Sequence, residues 1–278
     1  MSIFFTYNDK IYKDGTAVIT PENRSLRYGD GLFETLKMHK GVIQLRDYHF
    51  ERLFSGMKML QFQLPEYFTA PYLKNKILEL YKKNQHNSFT RVRLMVFRGN
   101  GGLYNPENHF PNYIIQTWSI EHTEELNSNG LIIDVYPDAK KSCDKFANLK
   151  SNNYLPYIMA ALHAKKIKVN DCILLNNYDR VCDTTIANIF IIKDDIIYTP
   201  PLSDGCVAGV MRRWIIEKLH AGFKIIEKEI SIDELENADE VFLTNSIKGI
   251  RWVKQFRNKE YKNRLVKQIF VSVKQQLL

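Results

Sequence analysis

The sequence has few of the features that mark a secreted, membrane-spanning or metal-binding protein. Its 278 residues include only four cysteines, and these lack the close spacing of a zinc site. We therefore expect reduced, structural thiols, no metal, and a cytoplasmic protein. No apolar run approaches the length of a membrane helix, so we expect no membrane association. The first eight residues have no basic leader before an apolar block, and we expect no signal peptide.

Charge of one sign is also not concentrated anywhere in the chain. The 39 lysines and arginines exceed the 31 acidic residues, for a net charge of +8, but the two signs alternate along the whole length. Nucleic-acid binding would need a basic stripe or face, so we expect no nucleic-acid partner. A moderate positive field favours small anionic molecules. Charge by itself leaves the function open.

The remaining composition is that of an ordinary globular protein, with 45% hydrophobic and 25% charged residues. The length suffices for one large or two medium domains. Residues 119–130 are polar and without periodicity, which is typical of a linker. We therefore predict a two-domain α+β fold, with a small N-terminal domain at residues 1–118 and a larger C-terminal domain at residues 131–278.

Several predicted elements frame the candidate chemistry. Alternating or continuous apolar runs predict strands, and apolar spacing of three and four residues predicts helices. The predicted elements are a hairpin turn at residues 13–16, a strand at 31–38, a helix at 46–60, a helix at 154–166, strands at 171–175 and 186–192, and a helix at 207–220.

Lys150 is the first candidate for chemistry. Most lysines are simply solvent-exposed. Lys150, however, lies between apolar runs where a loop meets the helix predicted at residues 154–166. A lysine held away from water has a lowered pKa and becomes a usable amine nucleophile.

Asp183 and the segment Gly209-Val210-Met211-Arg212 are the other candidates. Asp183 precedes an apolar strand, where aspartate is common for structural reasons alone. If it is buried and ionised, it could instead hold a cationic ring by a charge-assisted hydrogen bond. The segment at 209–212 opens an apolar helix, and a helix N-terminus offers unpaired N–H groups to a phosphate. A lysine, an acid and a phosphate-binding helix are the protein's usual share of a pyridoxal-phosphate site.

Together with further motifs, these segments resemble the class IV aminotransferase family, the fold-type-IV pyridoxal-phosphate enzymes. The motifs are Y-G-D-G-L-F-E-T at residues 28–35, H-F-E-R-L at 49–53, I-Y-T-P-P-L at 197–202 and A-D-E-V-F at 238–242. They span nearly the whole chain in the family's order. The 33 positions that separate Lys150 from Asp183 also fit the family.

The resemblance implies a role for each matching residue. Lys150 would be the Schiff-base lysine, and Asp183 would face the pyridine nitrogen of pyridoxal 5'-phosphate. The implied phosphate ligands are Arg52, Val210, Met211 and Ser246. The implied substrate contacts, for a small anionic amino-acid-like substrate, are Tyr28, Arg93, Arg98 and Asn245. The resemblance further implies a homodimer, a cofactor between the two domains, and a pocket completed by residues 99–105 of the partner chain.

Within the family, the chain is most similar to the 4-amino-4-deoxychorismate lyases of folate biosynthesis. Thr35 stands where branched-chain aminotransferases tend to have glycine, and its hydroxyl could move a proton near the reacting lysine. Two departures weaken the match. Asp183 replaces the usual glutamate, and Leu103 replaces an arginine of the lyase loop.

Three functions are therefore compatible with the sequence. The first is the lyase that forms 4-aminobenzoate and pyruvate. The second is an aminotransferase for branched-chain or D-amino acids, which the loss of an arginine at Leu103 favours and Thr35 disfavours. The third is a non-catalytic paralogue that binds the cofactor, supported by Asp183 alone.

Overall fold

The computed structural model of the protein describes residues 3–121 and 125–277, and the chain divides into two compact units. The first comprises Met1–His122 with Lys150–Asn153, and the second comprises Thr123–Leu149 with Tyr154–Leu278. Each unit has one sheet and several helices, which confirms the α+β class. The boundaries at residues 118 and 131 remain predictions. Residues 122–124 of the predicted linker lie outside the described residues.

The first unit is an antiparallel sheet with helices. Its strands are β1 (Phe4–Tyr7), β2 (Lys10–Lys13), β3 (Gly31–His39), β4 (Val42–Ile43), β5 (Thr90–Arg98) and β6 (Pro111–Ser119), and its helices are α1 (Arg24–Tyr28), α2 (Arg46–Met59) and α3 (Ala70–Lys83). The strand order is β2-β1-β6-β5-β3-β4. Strand β3 therefore lies beside β5 and β4 and supports the segment that follows α1.

The second unit has a larger mixed sheet. Its strands are β7 (Leu131–Lys141), β8 (Asp171–Asn176), β9 (Val181–Thr184), β10 (Asn188–Lys193), β11 (Ile196–Thr199), β12 (Ile225–Glu227), β13 (Glu240–Asn245), β14 (Gly249–Phe256) and β15 (Lys259–Glu260), and its helices are α4 (Leu155–Ile167), α5 (Val210–Leu219), α6 (Ile232–Glu236) and α7 (Arg264–Leu277). The order is β12-β11-β10-β13-β14-β7-β8-β9, with β15 paired to β14. Pairing is parallel between β7 and β8, β7 and β14, and β11 and β12.

Local sequence explains where the helices begin. Thr69 accepts a hydrogen bond from the N–H of Tyr72 and so caps α3. In the second unit, the buried carboxylate of Glu240 accepts from the N–H groups of Leu265 and Val266, each at 2.9 Å. These amides open α7, so a residue of β13 satisfies the helix end that local sequence leaves unpaired.

Burial in the second unit follows from its sheet pattern. Strands β8 and β10 are almost continuously apolar and are buried along nearly their whole length, as is typical of strands covered on both faces. One apolar cluster joins side chains of β7, β8, β10, β13 and β14 to the segment around α6. Strand β9, which the sequence did not predict, completes the edge beside β8 and contains Asp183.

Two predicted boundaries are wrong. The turn between β1 and β2 is at Asn8 and Asp9, whereas the predicted hairpin turn at residues 13–16 follows β2 and leads away from the sheet. Helix α5 begins at Val210, three residues after the predicted start. The amides of Val207 and Ala208 are bound by the Asp183 carboxylate and the Asn148 carbonyl, so these residues do not join the helix.

Over the described ranges, no helix is both long and apolar enough to cross a membrane. All four cysteines are unpaired, and three of them are buried. Within the same residues, no cluster of three or more histidine, cysteine or acidic side chains has the arrangement of a metal site.

Candidate active site

Lys150 lies on a segment that pairs with the start of β3 in the first unit. The N–H of Phe33 donates to the Lys150 carbonyl at 2.9 Å, and the N–H of Asn152 donates to the Gly31 carbonyl at 3.0 Å. A Cβ atom at Gly31 would stand 2.7 Å from Asn152 Nδ2, well inside contact distance. The same Cβ would stand 2.6 Å from the Val96 carbonyl oxygen of β5, so a glycine suits the close approach of both the neighbouring strand and the Asn152 side chain.

Three predicted site residues share one face of this sheet. The ammonium of Lys150 lies 4.5 Å from the ring centre of Phe33, and the guanidinium carbon of Arg93 lies 4.2 Å from the same ring. Thr35 is paired with Arg93 across β3 and β5. Because alternate residues of a strand face the same side, Phe33 and Thr35 point together toward the face that Lys150 occupies. The structure thus brings Lys150, Thr35 and Arg93 together.

Arg52 belongs to a buried ion network on the opposite side of β3. Its guanidinium donates to both carboxylate oxygens of Glu34, at 2.8 and 2.5 Å. His49 Nδ1 lies 2.7 Å from Glu34 Oε2. Arg52 and His49 lie three residues apart on α2, so one turn of the helix presents both to the strand. The arginine predicted to meet a phosphate is therefore fixed in place by a carboxylate.

Burial and charge act in opposite directions on this network. Burial by itself raises the pKa of Glu34, but Arg52 and His49 outweigh it and lower that pKa to about 2. Burial lowers the pKa of His49, so the ring is neutral at pH 7, and its Nδ1–H donates to Glu34. His49 Nε2 is buried and has no hydrogen-bond partner within the described ranges.

Tyr28 lies at the end of α1, where the glycine-rich loop of residues 99–105 passes. Its ring contacts the ring of Tyr104, with 5.7 Å between centres, and Arg24 lies over it at 5.1 Å. The Arg24 guanidinium donates to the carbonyl groups of Gly101 and Leu103. The Arg24 side chain therefore holds the loop through the loop's backbone carbonyl groups. The side chains of Leu103 and Tyr104 remain exposed on the surface.

Arg98 has a different environment from the one that a substrate ligand needs. It is 6% exposed, and its Nε donates to the Asp30 carboxylate at 3.0 Å. Its other nitrogens bind the Leu60 carbonyl and His109. Arg24 donates to the same Asp30, so one carboxylate joins two buried arginines. A role for Arg98 in substrate binding remains a prediction.

Asp183 lies in β9 of the second unit, with 2% of its surface exposed. Its Oδ2 accepts three hydrogen bonds, from Lys141 Nζ at 3.0 Å, the Tyr157 hydroxyl at 3.0 Å and the Val207 N–H at 2.9 Å. Its Oδ1 is buried and has no partner in the described part of the chain. One oxygen is thus saturated, while the other is available.

The environment of Asp183 fits the expected cofactor. A buried carboxylate oxygen without a donor is costly, and the N–H of a pyridinium ring would supply the missing bond. Burial, together with Asp183, raises the pKa of Tyr157 well above its ordinary value, so the phenol stays protonated and serves as a donor. Lys141 also donates to the Tyr157 hydroxyl, which links the three groups.

The start of α5 fits a phosphate through its backbone alone. Gly209 is the N-cap and provides no side-chain cap. The side chains of Val210 and Met211 are 4% and 3% exposed and belong to the core, so only their N–H groups could meet a ligand. A Cβ at Gly209 would overlap Asn188 Oδ1 at 1.8 Å, which explains the glycine at this position.

Asn245 and Ser246 follow at the end of β13, in the same unit. The side-chain oxygen of Asn245 accepts from the N–H groups of Ile247 and Lys248, at 3.0 and 2.8 Å, and so closes a tight turn. Asn245 also lines a small pocket with Asp171 and Arg251. Ser246 stands at the first position of that turn.

Sequence reasoning missed the partners of the predicted residues. Glu34 contacts Arg52, and Lys141 and Tyr157 contact Asp183, while His49 contacts Glu34. Glu34 lies in the same motif as Thr35, and His49 lies in the same motif as Arg52. These two motifs are the sequence signal that could have indicated them. Lys141 offered no signal, because it is one of 39 basic residues and lies 42 positions from Asp183.

The chain is similar to a family of known proteins and to individual members of it. The profile of the family described as amino-transferase class IV matches residues 31–256. The aminodeoxychorismate lyase of Vibrio harveyi is 29% identical, over 82% of this chain and 83% of the relative. The D-alanine aminotransferase of Bacillus licheniformis is 27% identical, over 86% of this chain and 83% of the relative.

A solved structure shows the same fold. The 4-amino-4-deoxychorismate lyase of Pseudomonas aeruginosa superposes with a TM-score of 0.86 at 25% identity, covering 98% of this chain and 99% of that one. The match extends over residues of both compact units.

The Glu34 network predicts a specific loss of stability in acid. A carboxyl with a lowered pKa adds stability above its ordinary value of 4.5, and this is lost as the pH falls toward about 2. A shift of this size corresponds to about 3 kcal/mol. Urea unfolding between pH 6 and pH 3 measures the free energy of unfolding of the native protein and of Glu34→Gln. The difference between the two should shrink progressively as the pH falls below 4.5. The exposed Glu260→Gln is the control, and a pH-independent difference would contradict the network.

Proposed function

Because this chain belongs to the class IV aminotransferase family, whose members use pyridoxal 5'-phosphate, we propose that it is a 4-amino-4-deoxychorismate lyase. It would convert its substrate to 4-aminobenzoate and pyruvate. The observation that carries the proposal is Thr35, whose hydroxyl-bearing side chain points to the same face of β3 as the Lys150 amine. Similarity to the lyases of Vibrio harveyi and Pseudomonas aeruginosa supports it.

Each residue has a distinct part in this reaction. When bound, pyridoxal phosphate supplies the electron-withdrawing ring that makes a carbon next to the substrate amine acidic. The Lys150 amine takes the proton from that carbon, and the Thr35 hydroxyl passes a proton locally as pyruvate leaves. Asp183 holds the proton on the ring nitrogen through Oδ1.

The same proposal assigns the phosphate to two sets of donors. In the second unit, the N–H groups of Val210 and Met211 and the hydroxyl of Ser246 would bind it. In the first, Arg52 would bind it while its guanidinium remains held by Glu34. A planar guanidinium has five donors, so it can serve a carboxylate and a phosphate together.

Substrate carboxylates would meet Arg93, Tyr28 and Asn245. Arg93 is the strongest of these assignments, because its guanidinium stacks on Phe33 beside the reacting lysine. Arg98 would act indirectly, since its donors are already bound by Asp30 and nearby carbonyl groups.

An aminotransferase acting on D- or branched-chain amino acids is the second candidate. Leu103 favours it, because this side chain is 73% exposed and cannot bind a carboxylate as an arginine there would. The similarity to the D-alanine aminotransferase of Bacillus licheniformis also supports it. The two activities share the cofactor and differ in the second reactant, a keto acid.

The assignment of Lys150 predicts a covalent label. Protein purified with pyridoxal phosphate should be yellow, and borohydride should fix the cofactor on the peptide that contains Lys150, as mass spectrometry would show. Lys150→Ala should give no labelled peptide, whereas Lys145→Ala, five residues away in the same segment, should be labelled as the native protein is. Labelling at another lysine would refute the assignment.

The proposed activity is tested with enzymatically prepared 4-amino-4-deoxychorismate. Native protein should release 4-aminobenzoate and pyruvate in equal amounts, and Thr35→Gly should lower the rate by a factor of roughly 10² to 10⁴, the range for a lost proton-transfer group. The Lys150→Ala variant sets the background. If no product exceeds it, while D-alanine or branched-chain amino acids convert the bound cofactor to its amine form, the chain is an aminotransferase.

We also propose that the protein is a homodimer, because two apolar surfaces are exposed on one chain. Leu103 and Tyr104, at the tip of the anchored loop, are 73% and 90% exposed. On α4, Leu155, Ile158 and Leu162 form an exposed stripe at helical spacing. Contiguous exposed apolar surface of this kind marks an interface, and two-fold dimers are the commonest soluble oligomers.

Sizing at micromolar concentration should therefore give about twice the mass of one chain. Leu162→Glu should shift the protein toward the monomer, because it places a charge within the apolar stripe. Lys218→Glu makes the same kind of charge change at an exposed position of a different helix, α5, and should leave the dimer intact. A native monomer with full activity would exclude a pocket that the partner completes.

A further inference from the structure

The cluster around Asp183 contains a cation that the proposed reaction does not use. Lys141 is 8% exposed, which is unusual for a lysine. Its ammonium donates to Asp183 Oδ2 at 3.0 Å and to the hydroxyl of Tyr157. Tyr157 in turn donates to the same Oδ2. The three side chains form a closed triangle within one unit of the fold.

The three side chains come from separate elements of the second unit. Lys141 ends β7, Tyr157 lies in the first turn of α4, and Asp183 lies in β9. Burying an ammonium has a high cost in free energy, which only a well-placed partner offsets. Here the partner of the ammonium is Oδ2 of Asp183. The other oxygen of that carboxylate, Oδ1, has no partner among the described residues.

We propose that Lys141, held by Tyr157, is a positioning residue that sets how strongly Asp183 retains the proton on the ring nitrogen of the cofactor. The proposal rests on the proposed contact between Asp183 Oδ1 and that nitrogen. A cation on Oδ2 draws electron density from the carboxylate and makes Oδ1 a weaker acceptor. The three donors also stop the carboxylate from turning, so Oδ1 keeps one direction.

The two thiols beside Asp183 are neutral. Cys182 is its neighbour in β9, and Cys206 lies on the segment before α5; burial raises the pKa of both thiols. Burial also raises the pKa of Tyr157. Over the described ranges, Lys141 is the only cation that is hydrogen-bonded to Asp183. Its charge therefore acts on the carboxylate without a competing ion at hydrogen-bond distance.

The direction of the effect follows from the charges. Asp183 stabilises the protonated ring nitrogen, and Lys141 opposes it. Removing the ammonium must therefore strengthen the retention of the ring proton, so that the nitrogen stays protonated to higher pH. A like charge disfavours the protonated form of a group, and Lys141 exerts this effect on the ring nitrogen through the carboxylate.

The test uses holoenzyme reconstituted with pyridoxal phosphate that is isotopically labelled at the ring nitrogen. Nitrogen NMR then follows loss of the ring proton against pH. In Lys141→Met, the midpoint should rise to higher pH than in the native holoenzyme. Lys141→Arg keeps the charge and should restore the native midpoint. Lys140→Met is the matched control, because Lys140 pairs with Asp179 on the surface and should leave the midpoint unchanged.

Two further variants distinguish the possible failures. Asp183→Asn should make the ring proton dissociate at clearly lower pH; an unchanged midpoint there would show that Asp183 does not face the nitrogen and would refute the underlying assignment. If Asp183→Asn shifts the midpoint but Lys141→Met does not, or lowers it, the role of Lys141 is refuted. If Lys141→Met does not bind the cofactor, Tyr157→Phe takes its place. Its midpoint for loss of the ring proton should rise by less than the rise expected for Lys141→Met, and an unchanged or lowered midpoint would refute the proposal.

Discussion

A carboxylate removed from water must be paired, and this constraint organises the candidate residues within each of the two units. The free-energy cost of burying one ion is several kcal/mol, so each buried acid collects its donors from whatever elements surround it. Glu34 takes Arg52 and His49 from α2, and Asp183 takes Lys141 and Tyr157 from β7 and α4. Each acid thereby joins elements that the chain order keeps apart.

The carboxylates of Glu34 and Asp183 differ in how many of their oxygens are hydrogen-bonded. Both oxygens of Glu34 are bound, so its carboxylate is structural and its effect is to fix Arg52. Asp183 has one bound and one unbound oxygen. An unsatisfied buried acceptor persists only where something compensates for it, and the cofactor ring would do so.

Backbone geometry contributes as much as side-chain chemistry. The Lys150 segment pairs with β3 through the backbone hydrogen bonds of Phe33 and Asn152. Alternation along β3 then separates its residues into two faces, with Phe33 and Thr35 toward the lysine and Glu34 toward α2. The single motif F-E-T therefore serves two tasks, one for chemistry and one for support of Arg52.

The sequence by itself determined the family, the cofactor and the α+β class, and it predicted roles for individual residues, including Lys150 and Asp183. Those residues lie in local motifs, and local motifs can be recognised from spacing alone. Only the tertiary structure decided which groups hold them. Lys141 reaches Asp183 across 42 positions because β7, β8 and β9 are neighbours in one sheet, and Arg24 reaches the carbonyl of Gly101 because the glycine-rich loop passes over it. Such pairings depend on sheet order and loop path, which no short stretch of sequence encodes.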